Sequence, residues 1–589
     1  MSSSLSLREP RRAVLPALAI LAAAVAGALL GLAGPGGAWV VAAAIVVLPL
    51  GALVIAGPAR AATIAASLVF VAVLIWIYRA DMVPVWAYAG MIDARPSATD
   101  VMIVTGIAAL PAIWIPVPAR RASTIVMWVV YLLGYLPAVV LPPFLGAELG
   151  TVLRLDLALL ASMAIVALIL RVPVPRIDVR PLSATTFTRM LTVTGILGVL
   201  YLVAGFGVHG LPNVADVYGT RDAFKSAVGG VPGAGYLIGW ATGVIYPLLM
   251  AWGIARRSWS LVLLSVVAQL LVYSVTGYKA TLFSIAFVPL VYLAVSYFRR
   301  SFGLLAAVGV PAILVLSALP AAGNTALGLA SRMYVLPAQL TYYYYEYFSI
   351  HPKFELSHSF LRWFNTQPYA QEPPDLIGSV YFPGTGTHAN AGLWADAYAN
   401  FGVAGILAFS VVFGLVLWVA DGVSRNRDMR IVGALLGVAA LAINSGALFT
   451  AILTNGVALA LLLILFMPPV TEDLRRREET EDAAPPEPRG VRLAPMPALP
   501  APVPAPVAGT RTRAVAALPA GPRDAGPILD LNTATADELH ELPGIGWALA
   551  QRIVRYREEF GAYTSPEDLL DVPGVGATRL RAIEGLVTA

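Results

Sequence analysis

The chain has 589 residues, 58% of them hydrophobic and 12% charged, with a mean hydropathy of +0.76. Soluble domains carry about 25% charged residues, so this composition excludes a single water-soluble fold. Cysteine is absent, which excludes disulfides, thiolate-held metal centres and a thiol nucleophile, and the net charge of +5 does not by itself imply a nucleic-acid partner.

Apolar runs of about 17–25 residues, enough to cross roughly 30 Å of hydrocarbon, recur along most of the chain. They fall near 13–33, 38–56, 61–78, 98–117, 122–141, 152–170, 190–208, 234–254, 258–276, 280–297, 302–320, 394–420, 431–447 and 451–467. The run after Arg12 reads as the first span, because no small-residue cleavage site stands before a soluble segment. An all-α, polytopic transmembrane bundle of about 14 spans is therefore expected over residues 1–470.

Short loops set orientation through their cations. With Arg8, Arg11 and Arg12 inside, alternate connections carry Arg60; Arg120 and Arg121; Arg171, Arg176, Arg180 and Arg189; Arg256 and Arg257; Arg299 and Arg300; and Arg425, Arg427 and Arg430. Both termini are thus expected to be cytoplasmic, in a multi-pass protein of the bacterial inner membrane. The opposite loops, 79–97, 207–233 and 321–393, carry Tyr, Trp, His, Asn and isolated charges. The last is far longer than an ordinary connection, and such loops are commonly functional.

Isolated cations near span ends on that outer side are candidate anion ligands. They are Arg221, in the stretch from Asp216 to Lys225, Lys279, in the Gly277-Tyr278-Lys279 junction, and Arg332. The bland alternatives are an ion pair of Arg221 with Asp222 or Asp216, and snorkelling of Lys279 to the interface. The run Tyr342 to Tyr345 fits a sugar-binding cleft or, more readily, an interfacial aromatic belt. His388 stands where the chain re-enters the membrane, and imidazole suits a general base near neutral pH. A satisfied loop histidine is the alternative. Asp396 and Asn400, spaced i, i+4, share one helix face.

The stretch His388-Ala-Asn-Ala-Gly-Leu-Trp-Ala-Asp-Ala-Tyr-Ala-Asn-Phe-Gly, following a large outer loop, resembles the Wzy-type oligosaccharide repeat-unit polymerases. Gly277-Tyr278-Lys279, Tyr218-Gly219-Thr220-Arg221 and Arg332 fit the same pattern over residues 190–467. The resemblance implies a glycosyltransferase that joins undecaprenyl-diphosphate-linked repeat units on the outer face. The growing glycan leaves its lipid diphosphate, and the incoming unit supplies the attacking hydroxyl. Charge placement and resemblance together nominate Arg221, Lys279 and Arg332 for the diphosphate, His388 as base and Asp396 as the alternative base. Asn390, Tyr398 and Asn400 would meet the sugar. The partners implied are a lipid-linked oligosaccharide and membrane lipids, with no cofactor and no metal.

Past residue 470 the character changes. Residues 471–482 are charged and 483–527 are rich in Pro and Ala, which predicts an extended, semi-rigid spacer. Residues 528–589 return to a balanced helical composition and contain a repeat: Leu542-Pro-Gly-Ile-Gly546 recurs as Val572-Pro-Gly-Val-Gly576. Thr535 with Glu538, and Ser565 with Asp568, have capping-box spacing. Each repeat follows one short helix and opens another, with amides free to hold a phosphate at a helix N-terminus.

This segment resembles the tandem helix-hairpin-helix domain of ComEA-type competence proteins. The resemblance implies non-sequence-specific DNA binding, with Gly544, Gly546, Gly574 and Gly576 as phosphate cradles and Arg552, Arg579 and Arg581 as nearby cations. A helical module that pairs with a protein is the alternative, because five Arg face ten Asp and Glu, a net of −5 over residues 528–589. Phosphate neutralisation supplies most non-specific affinity. Three functions thus compete: a glycan polymerase, a transporter or DNA-uptake component, and a scaffold that recruits a partner through its tail. Charges within the spans are scarce, with Arg154 and Asp156 nearly alone, which weighs against an ion-coupled transporter.

Overall fold

The computed structural model describes residues 58–470 and 529–589, apart from positions 176, 178, 213–216, 360–362, 364–365, 386, 544, 561, 573–574, 576–579, 581–582 and 584. The expected spans 13–33 and 38–56 and the expected spacer lie outside the described residues. Contacts divide the chain into two compact units, Met1–Glu487 and Pro488–Ala589.

The first unit is mostly helical, with no strand among its described residues. In chain order it holds α1 (Pro58–Ile77), α2 (Ala98–Ala109), α3 (Ala122–Val130), α4 (Leu136–Val140), α5 (Leu149–Ile169), α6 (Ala184–Phe206) and α7 (Val217–Val228). There follow α8 (Ala234–Trp240), α9 (Tyr246–Arg256), α10 (Trp259–Thr276), α11 (Lys279–Phe298), α12 (Phe302–Ala318), α13 (Gly323–Ala330) and α14 (Leu336–Ile350). The set closes with α15 (Pro373–Tyr381), α16 (Leu393–Val423), α17 (Met429–Ser445), α18 (Leu448–Leu453) and α19 (Val457–Phe466). Nine helical stretches among the described residues are long and apolar enough to cross a membrane. One of them, Lys279–Ala318, contains both α11 and α12, while Ala98–Ile113 and Met429–Ser445 are apolar but shorter.

Proline shapes these helices in a recurrent way. Wide π-turns occupy Tyr78–Met82, Tyr131–Tyr135, Ala241–Ile245 and Ser331–Val335, and each is followed two residues later by Pro84, Pro137, Pro247 or Pro337. Proline has no N–H and collides with the carbonyl one turn back, and a locally widened helix relieves that collision.

The helix α5 packs along α16, α11 along α17, and α3 against α17, while α14 lies on α16. The stretch Ala122–Val140 is almost wholly enclosed, so its apolar residues face protein on every side. In contrast α6 is apolar but mostly exposed.

Residues 321–393, expected as a loop, are instead largely helical, through α13, α14 and α15. The tyrosine run does not form an exposed belt. Tyr342, Tyr343, Tyr344 and Tyr345 are all buried within α14. Their hydroxyls donate to Glu346 and to the carbonyls of Gly90, Ala389 and Thr151, so the phenols tie α14 to its neighbours.

The second unit has its own core, built on Leu531, Leu539, Ile545, Leu549, Ile553 and Ile583. It contains α20 (Ala536–His540), α21 (Trp547–Phe560) and a 3-10 turn at Pro566–Asp571. The all-α expectation needs one amendment. A two-residue parallel pair, β1 (Leu529–Asp530) and β2 (Val587–Thr588), joins the two ends of the module.

Candidate functional sites

The helix α16 begins after Gly392 and breaks at Phe401-Gly402, where Gly402 has φ +62°. That backbone is closed to side chains, and glycine permits it. The break leaves carbonyls that the amides of the following turn would take in a continuous helix. The amides of Phe354 and Glu355 donate to Ala399 and Asn400 oxygens at 3.0 and 3.3 Å, and Leu356 N–H donates to Asn400 Oδ1 at 2.8 Å. The segment 354–356 is thereby stitched to the break. Such discontinuous helices are where membrane proteins place polar ligand sites.

Within this arrangement Asn400 is fully buried. Its Nδ2 donates to the Asp396 carbonyl at 2.8 Å and to Asp396 Oδ1 at 3.1 Å. Asp396 is also buried and accepts a hydrogen bond from the Leu448 backbone. The i, i+4 pair thus meets as a mutual hydrogen bond inside the protein. Tyr398 packs on Tyr345 with ring centroids 4.8 Å apart, and Lys353 Nζ lies 5.1 Å from the Tyr398 ring. Burial lowers the pKa of Lys353, whose ammonium donates to the Phe348 carbonyl.

His388 sits on the approach to α16 with a partly exposed side chain. Ala389 N–H donates to Pro374 O at 2.9 Å, which brings the stretch alongside α15. There His388 Nδ1 meets Asp375 Oδ1 at 2.5 Å. His388 and Asp396 are not joined: one pairs with Asp375 near the surface, the other with Asn400 below. Asn390 is exposed and donates its N–H to the His388 carbonyl at 3.0 Å.

The expected cations fall on three elements. Arg221, on α7, donates through Nε to Gly277 O at 3.1 Å and stands 6.0 Å from the Tyr278 ring, beside Lys279 at the head of α11. Arg332 is exposed in the π-turn before α14. Asp375 and Lys353 are the contributors that sequence reasoning missed as site residues. Among the described residues no cluster of three or more His, Asp or Glu could hold a metal ion.

In the tail both capping boxes are present, at Thr535 with Glu538 and at Ser565 with Asp568. Hydrogen bonds from the Thr535 backbone and hydroxyl hold the Glu538 carboxyl below its ordinary pKa, and those from Thr564 and Ser565 do the same for Asp568. Gly546 is exposed at the head of α21, its carbonyl accepting from Leu549 and Ala550, and Arg552 is exposed one turn further. Gly544, Gly574, Gly576, Arg579 and Arg581 lie outside the described residues.

This module is a helix-hairpin-helix domain: the family described as helix-hairpin-helix motif matches residues 525–588. The ComE operon protein 1 of Bacillus subtilis is 36% identical over 63 residues, 11% of this chain and 31% of that protein. The endonuclease/exonuclease/phosphatase family domain-containing protein 1 of Danio rerio is 52% identical over 56 residues. An uncharacterized protein of Haemophilus influenzae is 47% identical over 53 residues, 47% of its length. The chain spans about a tenth of the Danio rerio protein, so the likeness concerns the tail. No solved structure matches the chain.

Proposed function

We propose that the chain is a multi-pass protein of the bacterial inner membrane that holds DNA through its C-terminal helix-hairpin-helix module. The observation that carries this reading is the motif match over residues 525–588, together with the repeated Pro-Gly-x-Gly turns. Backbone amides at a helix head contact phosphate without reading sequence, so binding would be non-specific. With a net charge of −5 over residues 528–589, affinity rests on these amides and a few arginines rather than on a basic surface. The protein would then act in DNA uptake or as a membrane scaffold for DNA. Fluorescence anisotropy of labelled duplex against the purified tail, residues 525–589, tests it. Saturable, sequence-independent binding is expected, and no binding at low salt would refute it.

A second reading, polymerisation of lipid-linked oligosaccharide on the outer face, is favoured by the surroundings of α16. A histidine–carboxylate pair, His388 with Asp375, stands near a broken helix whose buried polar residues are Asp396 and Asn400. In this reading His388 takes the acceptor hydroxyl proton and Asp375 holds the ring. Arg221 and Lys279 on one element pair, with Arg332 on another, stabilise the leaving diphosphate. Deleting residues 471–589 separates the readings: polymer of normal chain length from the truncated protein supports an enzyme in the membrane body, whereas complete loss at normal protein levels counts against it.

A further inference from the structure

We infer that the chain binds an acidic phospholipid in a cleft between the first turns of α6 and the end of α9. A cavity of about 420 Å³ opens there, lined by Thr185, Thr188, Arg189, Thr192, Val193 and Arg256 among others. Its volume falls in the range of small-ligand sites. Arg189 and Arg256 are both exposed, and neither has a carboxylate partner among the described residues. Two unneutralised guanidinium groups facing one cavity call for an anion.

The wall is built rather than incidental. The Arg256 guanidinium carbon lies 4.5 Å from the Trp252 ring centroid, and Trp252 Nε1 donates to Thr188 Oγ1 at 2.9 Å. Phe187 packs edge-on against the same indole at 5.0 Å. Arg256 is therefore held over a fixed aromatic surface that is hydrogen-bonded to the opposite helix.

The continuation of the cleft selects a lipid over a soluble phosphate. Val193 lines the cavity and begins a stripe with Ile196, Leu197 and Leu200, which are 54, 42, 58 and 57% exposed. Their i, i+3, i+4, i+7 spacing places them on one face of α6, an apolar track about 10 Å long leading from the cations. Trp259, 74% exposed at the start of α10, marks the level of a membrane interface three residues after Arg256. A headgroup phosphate between the arginines with an acyl chain along α6 satisfies both halves. Basic pockets between membrane helices take acidic headgroups in this way. The inference rests on the membrane reading of the body and on neither function proposed above.

Native mass spectrometry of the full-length protein, released from micelles doped with phosphatidylglycerol or phosphatidylcholine, tests it. Phosphatidylglycerol is expected to be retained in excess. Arg189→Gln with Arg256→Gln should weaken its retention about 30-fold, since each cation near an anionic headgroup is worth about fivefold. Arg120→Gln should change nothing, and Arg189→Lys with Arg256→Lys should keep most of the preference. Inorganic phosphate should not displace the lipid. Equal retention of the two lipids by the wild type, or an undiminished preference in the folded glutamine variant, overturns the inference. Displacement by phosphate alone also overturns it, and assigns the cavity to a free anion. If the glutamine pair fails to fold, the wild-type lipid comparison and phosphate competition still decide.

Discussion

Nδ1 of His388 lies 2.5 Å from Oδ1 of Asp375, a residue 13 positions earlier in the sequence. The contact depends on α15, whose Pro374 carbonyl takes the Ala389 amide and so sets the histidine opposite the carboxylate. A carboxylate on Nδ1 fixes that nitrogen as the proton-bearing one and leaves Nε2 to accept a proton. In the polymerase reading, Asp375 would be a positioning residue for a histidine base.

The polymerase reading makes that geometry testable. His388→Ala is expected to abolish chains longer than one repeat while single-repeat lipid intermediates accumulate, a loss of about 10²-fold or more for a missing base. Asp375→Asn should reduce polymer formation, and Asp375→Glu should restore part of it at equal protein level. Wild-type chain lengths in the His388→Ala variant would remove the base assignment.

The broken helix predicts a stability effect independent of any activity. Asn400→Ala would leave the Leu356 amide without its buried acceptor and remove one of the donors to the Asp396 carboxyl, at roughly 1–3 kcal/mol. Gly402→Ala forces a side chain into a φ of +62°, with strain of about 1–3 kcal/mol. Both variants should unfold at lower temperature in detergent than the wild type, and equal melting would show that the break is not held as described.

These features differ in how far the sequence announces them. Helix positions are legible because an apolar run of fixed length carries its own signal, and the capping boxes are legible because Thr535 and Glu538 are three residues apart. The helical character of 321–393 is not. Its tyrosines are buried because their hydroxyls find Gly90, Ala389 and Thr151 oxygens, remote in sequence. The break at Gly402 is equally hidden. Ala399-Asn400-Phe401-Gly402 reads as uninterrupted helix until the amides of 354–356 arrive to satisfy the freed acceptors. Asp375 escaped notice as a site residue for the same reason: nothing local ties it to His388.

Topology supplies a prediction that bears on both readings of function. Reporter fusions at Thr366 and at Gly509, the latter outside the described residues, are expected to give opposite signals, with Thr366 outside and Gly509 inside. Equal signals would overturn this topology, and a cytoplasmic signal at Thr366 would move the His388 pair inside and end the polymerase reading.

The tail should lose stability in acid. Glu538 and Asp568 have folded pKa values depressed below their ordinary 4.5 and 3.8, chiefly by backbone amides at the caps. A depressed carboxyl stabilises the fold above its unfolded pKa, and that contribution disappears as pH falls through the folded value. The melting temperature of residues 525–589 should therefore be level near neutrality and fall progressively once the pH drops below about 4.5. Glu538→Gln should flatten part of that fall. An acid dependence identical in the variant would assign the titration to other groups.

The last prediction separates folding of the tail from its contact with DNA. A Cβ added at Gly546 would meet nothing within 4 Å, and the residue does not require a left-handed backbone, so Gly546→Ala should fold and melt as the wild type does. The methyl group would nevertheless stand at the head of α21, where a phosphate must approach the amides closely. Binding of duplex DNA should weaken roughly tenfold, the cost of about one charge-assisted hydrogen bond. The acidic balance of the module sets the second observable. If about two or three phosphates are neutralised, log K should fall with log salt at a slope near −2 to −3. A much steeper slope, or nanomolar binding at physiological salt, would mean that the module presents a basic surface despite its acidic balance. Unchanged affinity in Gly546→Ala, with the same slope, would mean that the hairpin turn is not where DNA is held.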